Sequence, residues 1–464
     1  MWGTTNGGWI FFHPPHVVVV KTMQHRLVLM AAAAALCTTL PAHAQLRLPG
    51  GGLSRLPSLP GELLRQTPLT TPDLQRTVLV PLQELRARTV RELLRDHADV
   101  IEADPAGEPV RRQELLLVSP TAATVDAALA QGFRLLREGI LEGLDLRSVV
   151  LQPPPGVSTR DALARLRALD PALEVDFNHI YTRSGTVGDG TGGTAPANNG
   201  ATAPRSVGLI DSGVDRRHPA LQQAAVTPWG CTDPGDKAGA SPHGTAVASL
   251  LVGRGPAFAG VVPGAQLFAA DVYCGQPAGG SAESVAQALA WMARQRVPVV
   301  NVSLVGPGNR LLERSVQALL AKGHLVVAAV GNDGPAAPPL YPAAYPGVVG
   351  VTGVNPARRV LPEAAQGPQV GFAAPGAELA VALAGGRAYG VARGTSFAAP
   401  LVAGLLADEL RAPDPGAAAQ ALRRLAASAV DLGAPGRDPV YGNGLVGEHA
   451  RVAPERVQAQ APLP

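Results

Sequence analysis

Three short segments carry side chains that could together perform acyl transfer. In the first, Val207-Gly208-Leu209-Ile210-Asp211-Ser212-Gly213, an apolar strand delivers a carboxylate at its C-terminal end. In the second, Ser241-Pro242-His243-Gly244-Thr245, an imidazole opens an Ala/Val/Leu-rich helix. In the third, Gly394-Thr395-Ser396-Phe397-Ala398-Ala399-Pro400, a hydroxyl lies between a Gly-Thr turn and a helix of small residues. A serine hydroxyl is a poor nucleophile at neutral pH, so it needs an imidazole to take its proton and a carboxylate to orient that imidazole. The free amides of a helix N-terminus can then donate to the oxyanion. Each segment alone also has an ordinary structural reading. Asp-Ser-Gly is a common turn, the histidine could be a surface residue beside a glycine, and serine often caps helices. A fourth segment, Val330-Gly331-Asn332-Asp333-Gly334, reads alone as a strand ending in a turn.

The elements that must hold these groups follow from the apolar pattern. Between residues 205 and 450, β-type apolar runs alternate with Ala-rich helical runs. Strands are expected near 206–210, 267–272, 297–303, 325–330 and 348–354, in a parallel sheet with helices on both faces. Catalytic groups of such sheets gather at the C-terminal ends of the strands. Upstream, residues 113–183 alternate strands (114–118, 134–141, 148–152, 174–181) with helices (121–131, 159–169), predicting a small α+β unit. A Gly/Thr/Asn/Pro-rich linker at 184–204 separates the two. Residues 45–112 read as a Pro/Leu/Arg-rich linker containing one amphipathic helix at 82–101. Residues 451–464 form a C-terminal tail.

Taken together, the segments resemble the subtilisin-like serine proteases, or subtilases. Asp-Ser-Gly, His-Gly-Thr-x-Val-Ala and Gly-Thr-Ser-x-Ala-Ala-Pro stand in that family's Asp, His, Ser order, and His218-Pro219-x-Leu221 fits the sequel to the first. The resemblance covers about 205–450 and implies a three-layer α/β/α sandwich around a mostly parallel sheet. It implies Asp211, His243 and Ser396 as the catalytic triad of an endopeptidase, and Asn332 as the side-chain donor to the oxyanion. Ser303, Leu304, Val305, Ala329, Val330, Gly331 and Leu340 match stretches that line the primary substrate pocket in relatives. Val305 replaces a glycine common in relatives and Leu340 stands where some members keep glycine at the pocket floor, which predicts a shallow pocket preferring small apolar residues. The unit at 113–183 resembles the family's inhibitory propeptide, a folding aid and a plug for the cleft. Cys231 and Cys274 end strands that are neighbours in the family's sheet, so a disulfide is expected, adding about 3–4 kcal/mol by chain entropy. Ala246 and Leu401 depart from the family's usual histidines at non-catalytic positions. The segment Gly253-Arg254-Gly255-Pro256-Ala257 lacks the Asn/Asp-rich calcium loop of many members. No cofactor or catalytic metal is expected, and structural calcium stays open without a recognisable loop to support it.

The rest of the chain bounds these expectations. With 464 residues, 46% hydrophobic and 16% charged, it can bury a large core. A net charge of +3 with scattered arginines gives no basic stripe for nucleic acid. From Met23, a basic start, an apolar run at 27–40 and the site Ala42-His43-Ala44 compose a secretory signal peptide spanning 1–44, with Met23 the working initiator. The run is short for a membrane helix, so no stable membrane anchor is expected. The expected product is an exported zymogen, periplasmic or extracellular, whose partners are protein or peptide substrates and its own propeptide. A secreted binding protein on a catalytically dead subtilase fold is the alternative. A lipase or esterase of another fold would need a Gly-x-Ser-x-Gly elbow, which the sequence lacks.

Overall fold

The computed structural model describes residues 80–188, 205–231, 239–255 and 258–458. The segment 1–44 expected to be a signal peptide, with Cys37, residues 45–79, most of the 184–204 linker and the end of the tail lie outside the described residues.

The chain enters through helix α1 (Val80–Asp96) and builds a small domain. This comprises β1 (Ile101–Ala103), β2 (Pro109–Val118), α2 (Ala122–Ala130), β3 (Arg134–Leu141), β4 (Leu146–Gln152), α3 (Thr159–Leu169) and β5 (Glu174–His179). Thr121 and Ser158 start α2 and α3 by accepting hydrogen bonds from the amides of Thr124 and Asp161. Strand β2 is antiparallel to β1, β4 and β5, and β4 pairs with β3. The sheet begins upstream of residue 113, the boundary read from the sequence. Ile101, read as the end of the first helix, is instead the fully buried first residue of β1. A short apolar window fits either period, and pairing with Arg111 decides it.

The run Leu115-Leu116-Leu117-Val118 is apolar on both faces of its strand because both are covered. Leu115 and Leu117 pack under α2 and α3 with Val125, Ala162 and Leu166. Leu116 and Val118 point the other way, into a cluster shared with the larger domain.

After β5 the chain forms two short strands, β6 (Thr182–Arg183) and β7 (Thr186–Gly188), before entering the larger domain. That domain contains β8 (Ser206–Asp211), β9 (Val226–Trp229), α4 (Pro242–Val252), β10 (Gln266–Asp271), α5 (Ala282–Arg294), β11 (Val299–Val302) and β12 (Leu304–Val305). It continues with α6 (Arg310–Ala321), β13 (Leu325–Ala329), β14 (Val349–Val354), β15 (Val370–Pro375), β16 (Leu379–Ala382) and β17 (Tyr389–Arg393). Helices α7 (Thr395–Glu409), α8 (Pro415–Ser428) and α9 (Pro454–Gln458) complete it.

Seven strands form one parallel sheet in the order β15-β14-β13-β11-β8-β10-β9. Alternation again sorts its side chains. Val207, Leu209, Val327 and Ala329 face α4 and α7, while Ile210, Val326 and Ala328 face α5 and α6. This is the three-layer α/β/α sandwich of the sequence reading. Gly208 is small because a Cβ there would lie 2.7 Å from the Met292 sulfur on α5. Cys231 and Cys274, just past the adjacent strands β9 and β10, are joined by a disulfide with Cα atoms 5.1 Å apart. Among the described residues, no helix is long and apolar enough to cross a membrane.

Candidate active site

Asp211 ends β8, the strand between β11 and β10 in the sheet, and is fully buried. The amide and hydroxyl of Ser212 both donate to its Oδ1, at 2.6 and 2.9 Å. His243 sits in the first turn of α4, behind Pro242, whose missing amide costs nothing at that position. Its Nδ1 lies 2.9 and 3.0 Å from the two Asp211 oxygens, so Nδ1 carries the proton and Nε2 is the basic nitrogen. The imidazole is buried, 5.2 Å from the ring of Phe397, the residue after Ser396.

Ser396 occupies the first turn of α7 and is fully buried. Among the described residues, neither its Oγ nor His243 Nε2 has a hydrogen-bond partner. Two unpaired polar atoms this deeply buried are uncommon and point to chemistry. The Nε2–Oγ hydrogen bond that proton transfer would use is not made here; such bonds often tighten only around a reacting substrate.

Helix α7 contains Pro400, which leaves the Ser396 carbonyl without its helical donor. The hydroxyl of Ser303 donates to that carbonyl at 2.9 Å. Ser303 therefore supports Ser396, as well as belonging to the stretch expected to line the pocket. Asn332 is oriented by the amide of Thr395, which donates to its Oδ1 at 3.0 Å, leaving Nδ2 as the donor facing the cleft. Gly394, with φ 136°, closes this corner. A Cβ there would stand 3.0 Å from Asn332 Nδ2 and 2.7 Å from the Cα of Gly185.

Ser303, Leu304, Val305, Ala329, Val330, Gly331 and Leu340 are all buried, on or beside β12 and β13. Leu340 Cδ1 lies 2.6 Å from where a Cβ on Gly331 would be, so Leu340 fills the space that residue leaves.

The cleft holds a peptide belonging to this same chain. Strand β6 runs antiparallel to β12, pairing Arg183 with Leu304 and Thr182 with Val305. Strand β7 runs antiparallel to β17, pairing Thr186 with Arg393 and Val187 with Ala392. Between them, Ser184 is buried with its hydroxyl 2.5 Å from Asn332 Nδ2, and Gly185 lies beside Gly394. Tyr181 is wholly enclosed, its amide donating to Gly280 O and its hydroxyl to Pro307 O. The linker expected to begin at Ser184 thus starts inside the site. No motif marked these residues, because the cleft binds main chain, which any sequence supplies.

Two further contacts escaped the sequence reading. Arg86, on α1, forms an ion pair at 3.1 Å with Asp333, the neighbour of Asn332, and also holds Glu108. Burial pushes the Asp333 carboxyl above its usual range. Arg137 of the small domain bridges Glu114 and Glu283, at 2.6 Å from each, and Asn178 donates to both carboxylates. Among the described residues, the cluster of His/Cys/Asp/Glu donors compact enough for a metal is Cys231, Asp271 and Cys274, and its two sulfurs are bonded to each other.

Comparison with known proteins agrees with this architecture. Residues 204–444, a little over half of the chain, match the profile of the subtilase family. Subtilisin from Bacillus pumilus is 32% identical over 250 residues, 53% of this chain and 89% of that relative. Minor extracellular protease Epr from Bacillus subtilis (strain 168) is 34% identical over 208 residues, 44% of this chain. The chain spans only 32% of Epr's length. Among solved structures, fervidolysin from Fervidobacterium pennivorans, a keratinolytic enzyme related to subtilisin, aligns with a TM-score of 0.61 at 20% identity. That alignment covers 78% of this chain and 63% of fervidolysin, and at such identity the likeness is one of fold. With sheet, strand-end groups and family profile coinciding over one stretch of sequence, the chain belongs to the subtilase family.

Proposed function

We propose that the protein is an exported serine endopeptidase made as a zymogen. Ser396 Oγ attacks a peptide carbonyl while His243 Nε2 takes its proton, and Asp211 stabilises the imidazolium that results. Asn332 Nδ2 and the amide at the start of α7 receive the oxyanion. The protonated imidazole then gives its proton to the leaving amine. Water, activated by the same nitrogen, hydrolyses the acyl-enzyme.

One observation carries the reading: a peptide segment lies antiparallel to the cleft edges, with residue 184 at the oxyanion donor and beside the nucleophile's helix. Binding in extended form to an exposed strand edge is how a protease presents a scissile bond. In this register the bond presented is Ser184–Gly185. The small domain is the propeptide that keeps the cleft filled until that bond is cut. The small side chain of Ser184 suits the shallow pocket that Val305 and Leu340 imply. The disulfide fits an oxidising compartment, consistent with export to the periplasm or beyond.

The test is labelling with a fluorophosphonate, expected on the wild-type protein and abolished in Ser396→Ala. N-terminal sequencing of the matured enzyme should return Gly185-Thr186-Val187. Absence of label from fully processed protein would leave a binding protein on a protease fold.

A further inference from the structure

We propose that the groove beside the His243 imidazole is a subsite for arginine, so that the enzyme selects protein substrates with arginine immediately before the residue at the cut. The inference rests on reading residues 181–188 as a bound peptide, and it adds a charge requirement to that site.

Arg183 is the residue preceding Ser184, and three features of the larger domain converge on its guanidinium. Its Cζ stands 5.1 Å from the centre of the Tyr273 ring. Its Nη1 donates to Ser241 Oγ at 3.1 Å. Ser241 is the cap residue of α4 but makes no side-chain cap bond. Its own proton goes to Ser212 Oγ, 2.8 Å away, because the Ser212 proton is given to Asp211, and its lone pairs are left to accept from the cleft. The third feature is charge. Asp271 ends β10 directly beside Asp211 on β8, so two carboxylates face this corner from adjacent strands. Burial first, and the Asp211 charge second, push the Asp271 carboxyl up, while Arg183 pulls it down. A cation in the groove relieves a charge that the site otherwise holds poorly.

The subsite is built independently of its occupant. Asp271 Oδ1 accepts from the amides of Tyr273 and Cys274, both at 3.0 Å. The disulfide to Cys231 anchors the same turn. The Tyr273 hydroxyl donates to the main-chain carbonyl of residue 181 at 2.8 Å, a group that any bound peptide offers. The ring is therefore in place whatever side chain lies at position 183. A planar guanidinium can stack on it and donate to Ser241 at once, which a lysine ammonium does less well.

The experiment uses the full chain, expressed and allowed to mature, with internally quenched peptides of the sequence 180–188. The residue at position 183 is Arg, Lys, Ala or Glu. Because the guanidinium is partly in water, kcat/KM for Arg should exceed that for Ala by about three- to tenfold, with Glu below Ala. Asp271→Asn keeps both amide contacts and removes the charge, and Tyr273→Leu removes the ring. Each should cut the Arg-to-Ala ratio to about a third of its wild-type value or lower, a ratio insensitive to the fraction of folded enzyme. Equal rates for Arg and Ala, or a ratio unchanged in both variants, would overturn the subsite. Label on Ser396 without cleavage of any peptide would overturn the bound-peptide reading and the subsite with it. Absence of both label and cleavage would overturn the protease reading itself.

Discussion

Replacing Arg137 by alanine tests how the small domain is fastened to the larger one. The guanidinium lies 2.6 Å from both Glu114 and Glu283, whose side chains are only 11% and 7% exposed. Glu283 belongs to the larger domain, in the first turn of α5. Without Arg137, two buried like charges face each other with Asn178 as their shared donor. Breaking a fully buried ion pair costs about 3–5 kcal/mol. Arg137 itself is 40% exposed, so water screens part of the interaction and about 2–3 kcal/mol is the expected loss. The assay is thermal unfolding of the precursor, held uncut by Ser396→Ala, where this loss lowers the midpoint by about 3–8 °C. In a double-mutant cycle, Arg137→Ala should cost much less once Glu283 is glutamine, because the surplus charge has gone. A coupling below about 0.5 kcal/mol would refute the bridge, since that is the scatter expected of independent sites.

Burial alone would raise the Glu114 carboxyl, but its bond to Arg137, the charges of Arg111 and Arg137 and its bond to Asn178 hold it below its usual 4.5. Its contribution is therefore complete above about pH 4.5 and lost as pH falls through the depressed value, so melting of the uncut precursor should drop more steeply with acid than in Glu114→Gln. Ser303→Ala strips the donor from the Ser396 carbonyl; it should cost about 1–3 kcal/mol in stability and lower turnover, with Ser303→Thr restoring much of both. Leu340→Ala should deepen the pocket and raise the relative rate on peptides with large residues at the cut, as read by library profiling; an unchanged profile would show that Leu340 does not form the floor.

The sheet was largely legible because buried strands leave continuous β-branched and apolar runs, and five of its seven strands were located within two residues at either end. Strand β15 escaped notice because Gly371 and the alanines after it carry little β signal. Helices α2 and α3 were located within one residue at either end. The groups at Asp211, His243 and Ser396 were legible only as a set, since each alone fits a turn, a surface residue or a cap. What could not be read was anything that depends on two distant segments meeting. Arg86 finding Asp333, Ser303 completing the helix broken by Pro400, and the main chain at 182–188 entering the cleft all leave no periodicity in the sequence.

If the chain matures as proposed, the two-sided apolar character of β2 gives that maturation a direction. Leu116, Val118 and their neighbour Val150 are covered only while the larger domain's helices lie against them. Under the proposed zymogen function, cutting the chain and parting the halves would bring this greasy underside into water, at about 25 cal/mol for each Å² uncovered. The freed small domain would keep only the core on its other face, open to digestion by the enzyme it had released. Activation would then run forward as a ratchet, the piece needed to reverse it being consumed.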